Sequence, residues 1–248
     1  MSSPAVLHGI GLFETALVAR GRVVQLAEHF RRMTASAIAL GFPAPRPELF
    51  AEQMTRAAAT VATAAEAAVR CLYLQSDAEL WVLHATAMPV SPITLQRRAR
   101  GRAVTLRLTR SLPAHKLTSY AACILGLRQA AAAGADEGLF TTEDGRILEG
   151  TATNVFALRD KTLITAAVAD GVLPGVVRAW TMGEAVRIGL TIEERPPAAA
   201  ELREGGFLTG SLTMLAPLRL LDGSVCRPPG PVFEELAQAY RALAERDR

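Results

Sequence analysis

Residues 133–156 read AGADEGLFTTEDGRILEGTATNVF. Two short apolar runs, at 138–142 and 146–149, flank Glu143-Asp144-Gly145. Asp-Gly suits the positive backbone angles of a tight turn, so the stretch predicts a β-hairpin with Glu143 and Asp144 as turn residues. A second hairpin is expected over 153–158 and 162–166, with Arg159-Asp160-Lys161 at its tip. Glu149 ends an apolar run and precedes Gly150-Thr151. That setting suits a semi-buried acid, and the bland reading is a surface carboxylate at a strand end.

Downstream, Leu173-Pro174-Gly175 opens a predicted helix that runs to about Ile188. A strand at 190–195, a short helix, strands near 206–210 and 216–221, and a closing helix over 231–246 follow. Upstream, a helix at 120–133 is closed by Gly134, and Ser111-Leu112-Pro113 reads as a connector after a strand at 103–109. Strands at 68–75 and 80–88 are joined by a polar turn at 76–79. Helices are expected at 27–40 and 47–66, behind a strand at 12–19 and a short one at 23–26. Hairpins mixed with helices predict an α+β chain in two parts, residues 1–110 and 111–248.

The 248 residues, half of them apolar, are enough to bury a full core. The net charge is only +3. The dense run Arg97, Arg98, Arg100, Arg102 reads as a solvated face rather than a nucleic-acid patch. No apolar stretch reaches the length of a membrane span, and the N-terminus lacks the pattern of a signal peptide. Cys71, Cys123 and Cys226 are odd in number and far apart, which fits a reducing cytoplasm. The four histidines lack ligand spacing, so no metal is expected.

Of 27 basic residues only Lys116 and Lys161 are lysines, and 25 are arginines. A lysine amine can lose its proton and attack a carbonyl, whereas a guanidinium cannot. A lysine kept against such a bias points to chemistry that needs an amine. Lys161 sits at a hairpin tip, where the bland role fits. Lys116 lies in HKLTSY at 115–120, outside any predicted turn.

Five segments together resemble the class IV aminotransferase family, the fold-type IV enzymes that use pyridoxal 5'-phosphate (PLP). They are GLFET at 11–15 with LAEHFRRM at 26–33, HKLTSY at 115–120, the 133–156 stretch, GVLPGVVR at 171–178, and FLTGSLT at 207–213. The resemblance implies a two-domain fold like that of D-amino-acid aminotransferase. In it a small N-terminal α+β domain precedes a larger C-terminal α/β barrel-like domain, and the chain forms a homodimer. It also implies that Lys116 holds PLP as a Schiff base and that Glu149 faces the pyridine nitrogen. Arg32, the backbone N–H groups of Val176 and Val177, and Ser211 would then hold the phosphate. Tyr120 would flank the cofactor, with Leu212 and Thr213 on the substrate side and His29 structural.

Within this family the freed lysine serves as base and acid for a small amino substrate. The short chain, Thr15 after Phe13-Glu14, and the FLTGSL segment favour 4-amino-4-deoxychorismate lyase, which releases pyruvate to leave 4-aminobenzoate for folate synthesis. Thr15 would offer a hydroxyl to the substrate in that case. A class IV aminotransferase acting on branched-chain or D-amino acids or amines is the alternative. A paralogue that binds PLP weakly and does not catalyse is the reading from a different class. Three departures bear on the choice. Ten residues stand where the family has an extra strand pair, Val177 stands where threonine is common, and Gln75-Ser76-Asp77 replaces an Arg-Gly element. The last leaves Arg107, Arg110 or no residue to meet a substrate carboxylate.

Overall fold

The structure is a computed structural model that describes residues 4–77 and 80–246. The expected turn at 76–79 lies partly outside the described residues. The chain divides into two compact units: Met1–Val90 with His115–Tyr120, and Ser91–Ala114 with Ala121–Arg248. This division differs from the expected 1–110 and 111–248 because of where two segments pair. The strand after residue 101 joins the second unit's sheet, and residues 115–120 pair with the first strand of the first unit.

The first unit opens with α1 (Pro4–His8), too short to show periodicity in the sequence. Then come β1 (Gly11–Ala19), β2 (Arg22–Val23), α2 (Leu26–Ala39), α3 (Pro47–Ala59), β3 (Glu66–Gln75) and β4 (Trp81–Met88). The strands form an antiparallel sheet in the order β2-β1-β3-β4. Strand alternation sends Leu12, Ala16 and Val18 of β1, with Val69, Cys71 and Tyr73 of β3, into one core. Met33 and Ala37 of α2 and Phe50 and Met54 of α3 close it. Helix α3 stops at Ala59 rather than near 66. The Thr60 hydroxyl bonds back to the Ala57 carbonyl at 2.7 Å, and β-branched Thr60, Val61 and Thr63 follow an alanine-rich run.

The second unit begins with α4 (Pro92–Arg100), which the sequence reading missed. Its signals were present. The Ser91 hydroxyl accepts from the Thr94 N–H, Pro92 occupies the first turn, and Gly101 ends the helix at φ +55°. A side chain at Gly101 would also strike the Pro217 carbonyl, 2.0 Å from the Cβ position. The remaining elements are β5 (Arg102–Leu106), α5 (Ala121–Ala132), β6 (Glu137–Thr141), β7 (Ile147–Gly150), β8 (Asn154–Arg159) and β9 (Thr162–Thr165). After these come α6 (Val176–Arg187), β10 (Thr191–Glu194), α7 (Ala199–Gly205), β11 (Gly206–Gly210), β12 (Met214–Pro217), β13 (Leu220–Leu221), β14 (Ser224–Val225) and α8 (Pro231–Glu245).

These strands form one mixed sheet, running β10-β9-β8-β7-β6-β5-β13-β14, with β11 and β12 branching from β8. Both faces are covered, which explains the near-continuous apolar run of β8. Val155 and Ala157 pack with Leu139, Ile147 and Leu208 on one side. Phe156 and Leu158 pack with Phe207 and with Phe233, Leu236 and Tyr240 of α8 on the other. Phe156 and Phe207 are register partners with stacked rings 5.2 Å apart. Gly145 takes φ +82° in the β6–β7 turn.

The arginine run spans α4 and β5 and is only partly a solvated face. Arg97 is only 2% exposed, and its Nε lies 3.0 Å from the fully buried Glu137. Arg100 and Arg102 pair with Asp136 at 3.0 and 3.2 Å, and Arg98 donates to the Leu212 carbonyl at 2.7 Å. Glu137 at the start of β6 and Asp136 just before it are the buried carboxylates that meet Arg97, Arg100 and Arg102.

Two substitutions report on the two units. Phe50→Ala empties a fully buried site and should cost about 3–5 kcal/mol of unfolding free energy. Arg97→Met strands the Glu137 charge and should cost a similar ~3–5 kcal/mol. Both losses are read as denaturant midpoints at unchanged slope.

Candidate active site

Lys116 belongs to the first unit through the pairing of its own segment. The Phe13 N–H donates to the Lys116 carbonyl at 2.9 Å, the Thr118 N–H donates to the Gly11 carbonyl at 3.0 Å, and Leu12 bridges Leu117. This brings the Lys116 Nζ to 4.5 Å from the Phe13 ring centroid and 5.6 Å from that of Tyr120. The two rings meet edge to face at 5.2 Å. The lysine therefore stands in an aromatic niche set by β1. Lys161 is exposed at the β8–β9 turn.

On the opposite face of β1 lies a buried polar cluster. Glu14 is 1% exposed and takes a bidentate pair from Arg32, with Nε at 2.8 Å and Nη2 at 2.5 Å. The His29 Nδ1 lies 2.6 Å from the same carboxylate. Burial pushes the Glu14 carboxyl up, but the Arg32 charge and the hydrogen bonds from Arg32 and His29 overcome it and hold the pKa at about 2. Burial lowers the His29 pKa against the pull of Glu14, and the charges of Arg32 and Lys116 add to the lowering. His29 is buried and held against Glu14 in this cluster. Glu14 went unrecognised as a site residue. Its signal was the acid at 14 facing the H-x-x-R spacing of α2, which places both partners on one helix face.

Thr15 and Phe13 share the other face of β1. The Thr15 hydroxyl accepts from the Arg70 Nε at 3.1 Å, and the Arg70 guanidinium lies 5.3 Å from the Phe13 centroid.

In the second unit, Glu149 ends β7 and is 4% exposed. One carboxylate oxygen pairs with the Arg110 Nη2 at 2.7 Å, and the other accepts from the Leu173 N–H at 2.9 Å and the Asn154 Nδ2 at 3.5 Å. Arg110, a candidate for a substrate carboxylate, thus contacts Glu149, and it also donates to the Pro113 carbonyl. Arg107 is exposed. A cavity of about 180 Å³ within this unit opens beside Glu149, lined by Leu108, Arg110, Pro113, Leu148 and Gly171 among others.

The turn after Glu149 is held by Glu137, which accepts from the N–H groups of Gly138 and Thr151 at 3.0 Å. The hydroxyls of Thr151 and Thr153 donate to it as well. Helix α6 starts at Val176 after Gly175 with no side-chain cap. The Val176 and Val177 side chains are buried, Val177 in the core beside Phe156. Only their backbone N–H groups are thus available to a ligand. Ser211 and Leu212 are half-buried and Thr213 is buried in the β11–β12 connection.

These features fit PLP. An amine stands in an aromatic niche, a buried acid is held by several donors, and a helix start of 12-residue α6 is left uncapped. The Thr209 hydroxyl, on the strand leading to Ser211, is buried with no hydrogen-bond partner. A bound ligand or water would satisfy it.

The Glu14–His29 pair predicts an acid-labile first unit. The folded pKa of His29 lies below its ordinary 6.5, so the unfolded chain binds a proton that the folded chain refuses. Stability should fall as pH drops below 6.5, with a second decline below 4.5 as Glu14 is forced toward protonation. His29→Gln should flatten the first decline and leave the second, as measured by melting temperature across pH 7 to 4.

A family model for class IV amino-transferases matches residues 11–221. The bifunctional aminodeoxychorismate lyase / D-amino acid transaminase of Mycobacterium tuberculosis is 30% identical, over 98% of this chain and 92% of its own length. A structure of a hypothetical aminotransferase from Mycobacterium tuberculosis in its PLP-bound form superposes with a TM-score of 0.88 at 28% identity, covering 98% of this chain and 92% of that one. The branched-chain aminotransferase of Thermoproteus uzoniensis superposes with a TM-score of 0.81 at 25% identity, covering 98% and 88%. The five motifs, the α+β fold and these likenesses agree: the chain belongs to the class IV aminotransferase family.

Proposed function

We propose that this chain is a PLP-dependent 4-amino-4-deoxychorismate lyase that releases pyruvate and leaves 4-aminobenzoate. The observation that carries the reading is the placement of Lys116, one of two lysines in the chain, with its amine against Phe13 and Tyr120. The near-full-length relative whose name includes aminodeoxychorismate lyase supports the choice of reaction.

When bound, PLP supplies an electron sink for charge that develops on the substrate. Lys116 anchors it covalently, and the freed amine moves a proton on the substrate. The rings of Phe13 and Tyr120 exclude water around that amine. Glu149 holds the proton of the pyridine nitrogen. Arg32 binds the phosphate together with the N–H groups of Val176 and Val177 and the Ser211 hydroxyl. Leu212 and Thr213 line the substrate side, their loop tethered by Arg98. Thr15 accepts from Arg70, which leaves its hydroxyl proton to donate to the substrate.

The second reading is an aminotransferase, and the same relative's name favours it, since it pairs the lyase with a D-amino acid transaminase. We further propose residues 1–110 and 111–248 as the evolutionary domains and a homodimer as the assembly. Helix α5 supports the dimer by exposing Ile124 and Leu125. Three buried free thiols fit a cytoplasmic location.

Purified protein should bind PLP with a visible absorbance band and keep the cofactor through dialysis after borohydride reduction. Lys116→Ala should lose both turnover and the reducible link, while Lys161→Ala should keep both. Pyruvate and 4-aminobenzoate release from aminodeoxychorismate, set beside keto-acid-dependent deamination of leucine, D-alanine and amines, separates the two readings. Protein that ignores added PLP would instead be a non-catalytic paralogue.

A further inference from the structure

We infer that Asn154 is a positioning residue that sets the spacing between the Glu149 carboxylate and the start of helix α6. The inference rests on the proposed reading, in which Glu149 meets the pyridine nitrogen and the α6 N–H groups meet the phosphate. PLP joins a rigid ring to a short phosphoester arm, so its ring nitrogen and phosphate separate over only a narrow range. A site that takes both ends at once must hold its two receptors within that range.

Asn154 touches both. Its Nδ2 donates to the Leu173 carbonyl at 3.0 Å and reaches the Glu149 Oε2 at 3.5 Å. The Leu173 N–H donates to that same oxygen at 2.9 Å. Glu149, Asn154 and both backbone groups of Leu173 thus form a closed set of polar contacts. On its other side, the Asn154 Oδ1 lies against Gly175, the residue that precedes α6. A Cβ at Gly175 would sit 1.9 Å from that oxygen. Gly175 has φ −65° and ψ 137°, angles open to any residue. Glycine is therefore required there by the asparagine and not by the backbone.

Asn154 is itself held firmly. It is 6% exposed and stands in register with Glu149 across β7–β8 and with Thr209 across β8–β11. An amide is the side chain that fits. Aspartate would lose the donor and set a second carboxylate against Glu149 Oε2 and the Leu173 carbonyl. Alanine would leave Leu173 and Glu149 without their common partner.

The test compares dissociation constants for PLP and for pyridoxal, which lacks the phosphate, by absorbance titration. Melting temperature reports on folding. The wild type should prefer PLP. Asn154→Ala and Asn154→Asp should each cut that preference about tenfold, because PLP no longer engages both receptors at once. Pyridoxal binding should change less. Gly175→Ala should cause the same loss by displacing the amide. The double variant Gly175→Ala, Asn154→Ala should be no worse than Gly175→Ala alone, because the atom its methyl would strike is gone. A purely structural asparagine would lower the melting temperature and leave the preference intact, and that result overturns the inference alone. A wild type with no preference for PLP over pyridoxal overturns the functional reading and this inference with it. If Asn154→Ala does not fold, Asn154→Asp and Gly175→Ala carry the same comparison.

Discussion

Burying a carboxylate costs several kcal/mol unless a cation and further donors meet it. This chain buries three that bear on its function, and each is met by an arginine. Glu14 pairs with Arg32, Glu137 with Arg97, and Glu149 with Arg110. In each pair the carboxylate is almost fully enclosed and the arginine nearly so. Glu14 fixes the guanidinium of α2, Glu137 fixes the turn after β7, and Glu149 gathers Arg110, Asn154 and Leu173 around the end of that strand. Lysine could not replace arginine at Glu14, where two parallel N–H groups meet two oxygens.

The pairs change what the basic composition means. A count of 25 arginines against two lysines suggests a taste for arginine as a generic surface cation. Several of those arginines are instead buried forks that neutralise acids inside the fold. Arg178 is another, bridging the Ala166 carbonyl and Glu194 from within α6. Composition thus singled out Lys116 but did not show that some of the arginines are buried. The four cations near residue 100 look alike in sequence. Buried Glu137, and Asp136 just before β6, pair with Arg97, Arg100 and Arg102, of which only Arg97 is itself buried.

Much of the architecture was legible because it rests on local rules. The sequence pattern placed β1, β3 and β4, and Asp144-Gly145 placed the β6–β7 turn, where Gly145 takes a positive φ. Helical spacing found α2, α5 and α8. Helix α4 went unpredicted, although a proline in the first turn after a serine cap marks a helix start. The boundary near residue 110 fell elsewhere because strand pairing is non-local. No local pattern tells residues 115–120 to leave the second unit and pair with β1. The motifs named Glu149, but its ties to Arg110 and Asn154 span 39 and 5 residues of chain. Asn154 stood inside the quoted stretch, and its role became visible only with Gly175 beside it.

The same logic explains why an amine stands at residue 116. Glu14 lies on the core face of β1, and Phe13, which meets the Lys116 amine, lies on the other. The Glu14 charge is met by Arg32 and His29 on the core face. Aromatic faces attract a cation only modestly, by about 0.5–2 kcal/mol. An arginine in this niche would keep its charge at any physiological pH. Glu14 and its partners thus stand on one face of β1. On the other face Lys116 stands against the rings of Phe13 and Tyr120, and Arg70 lies near Phe13.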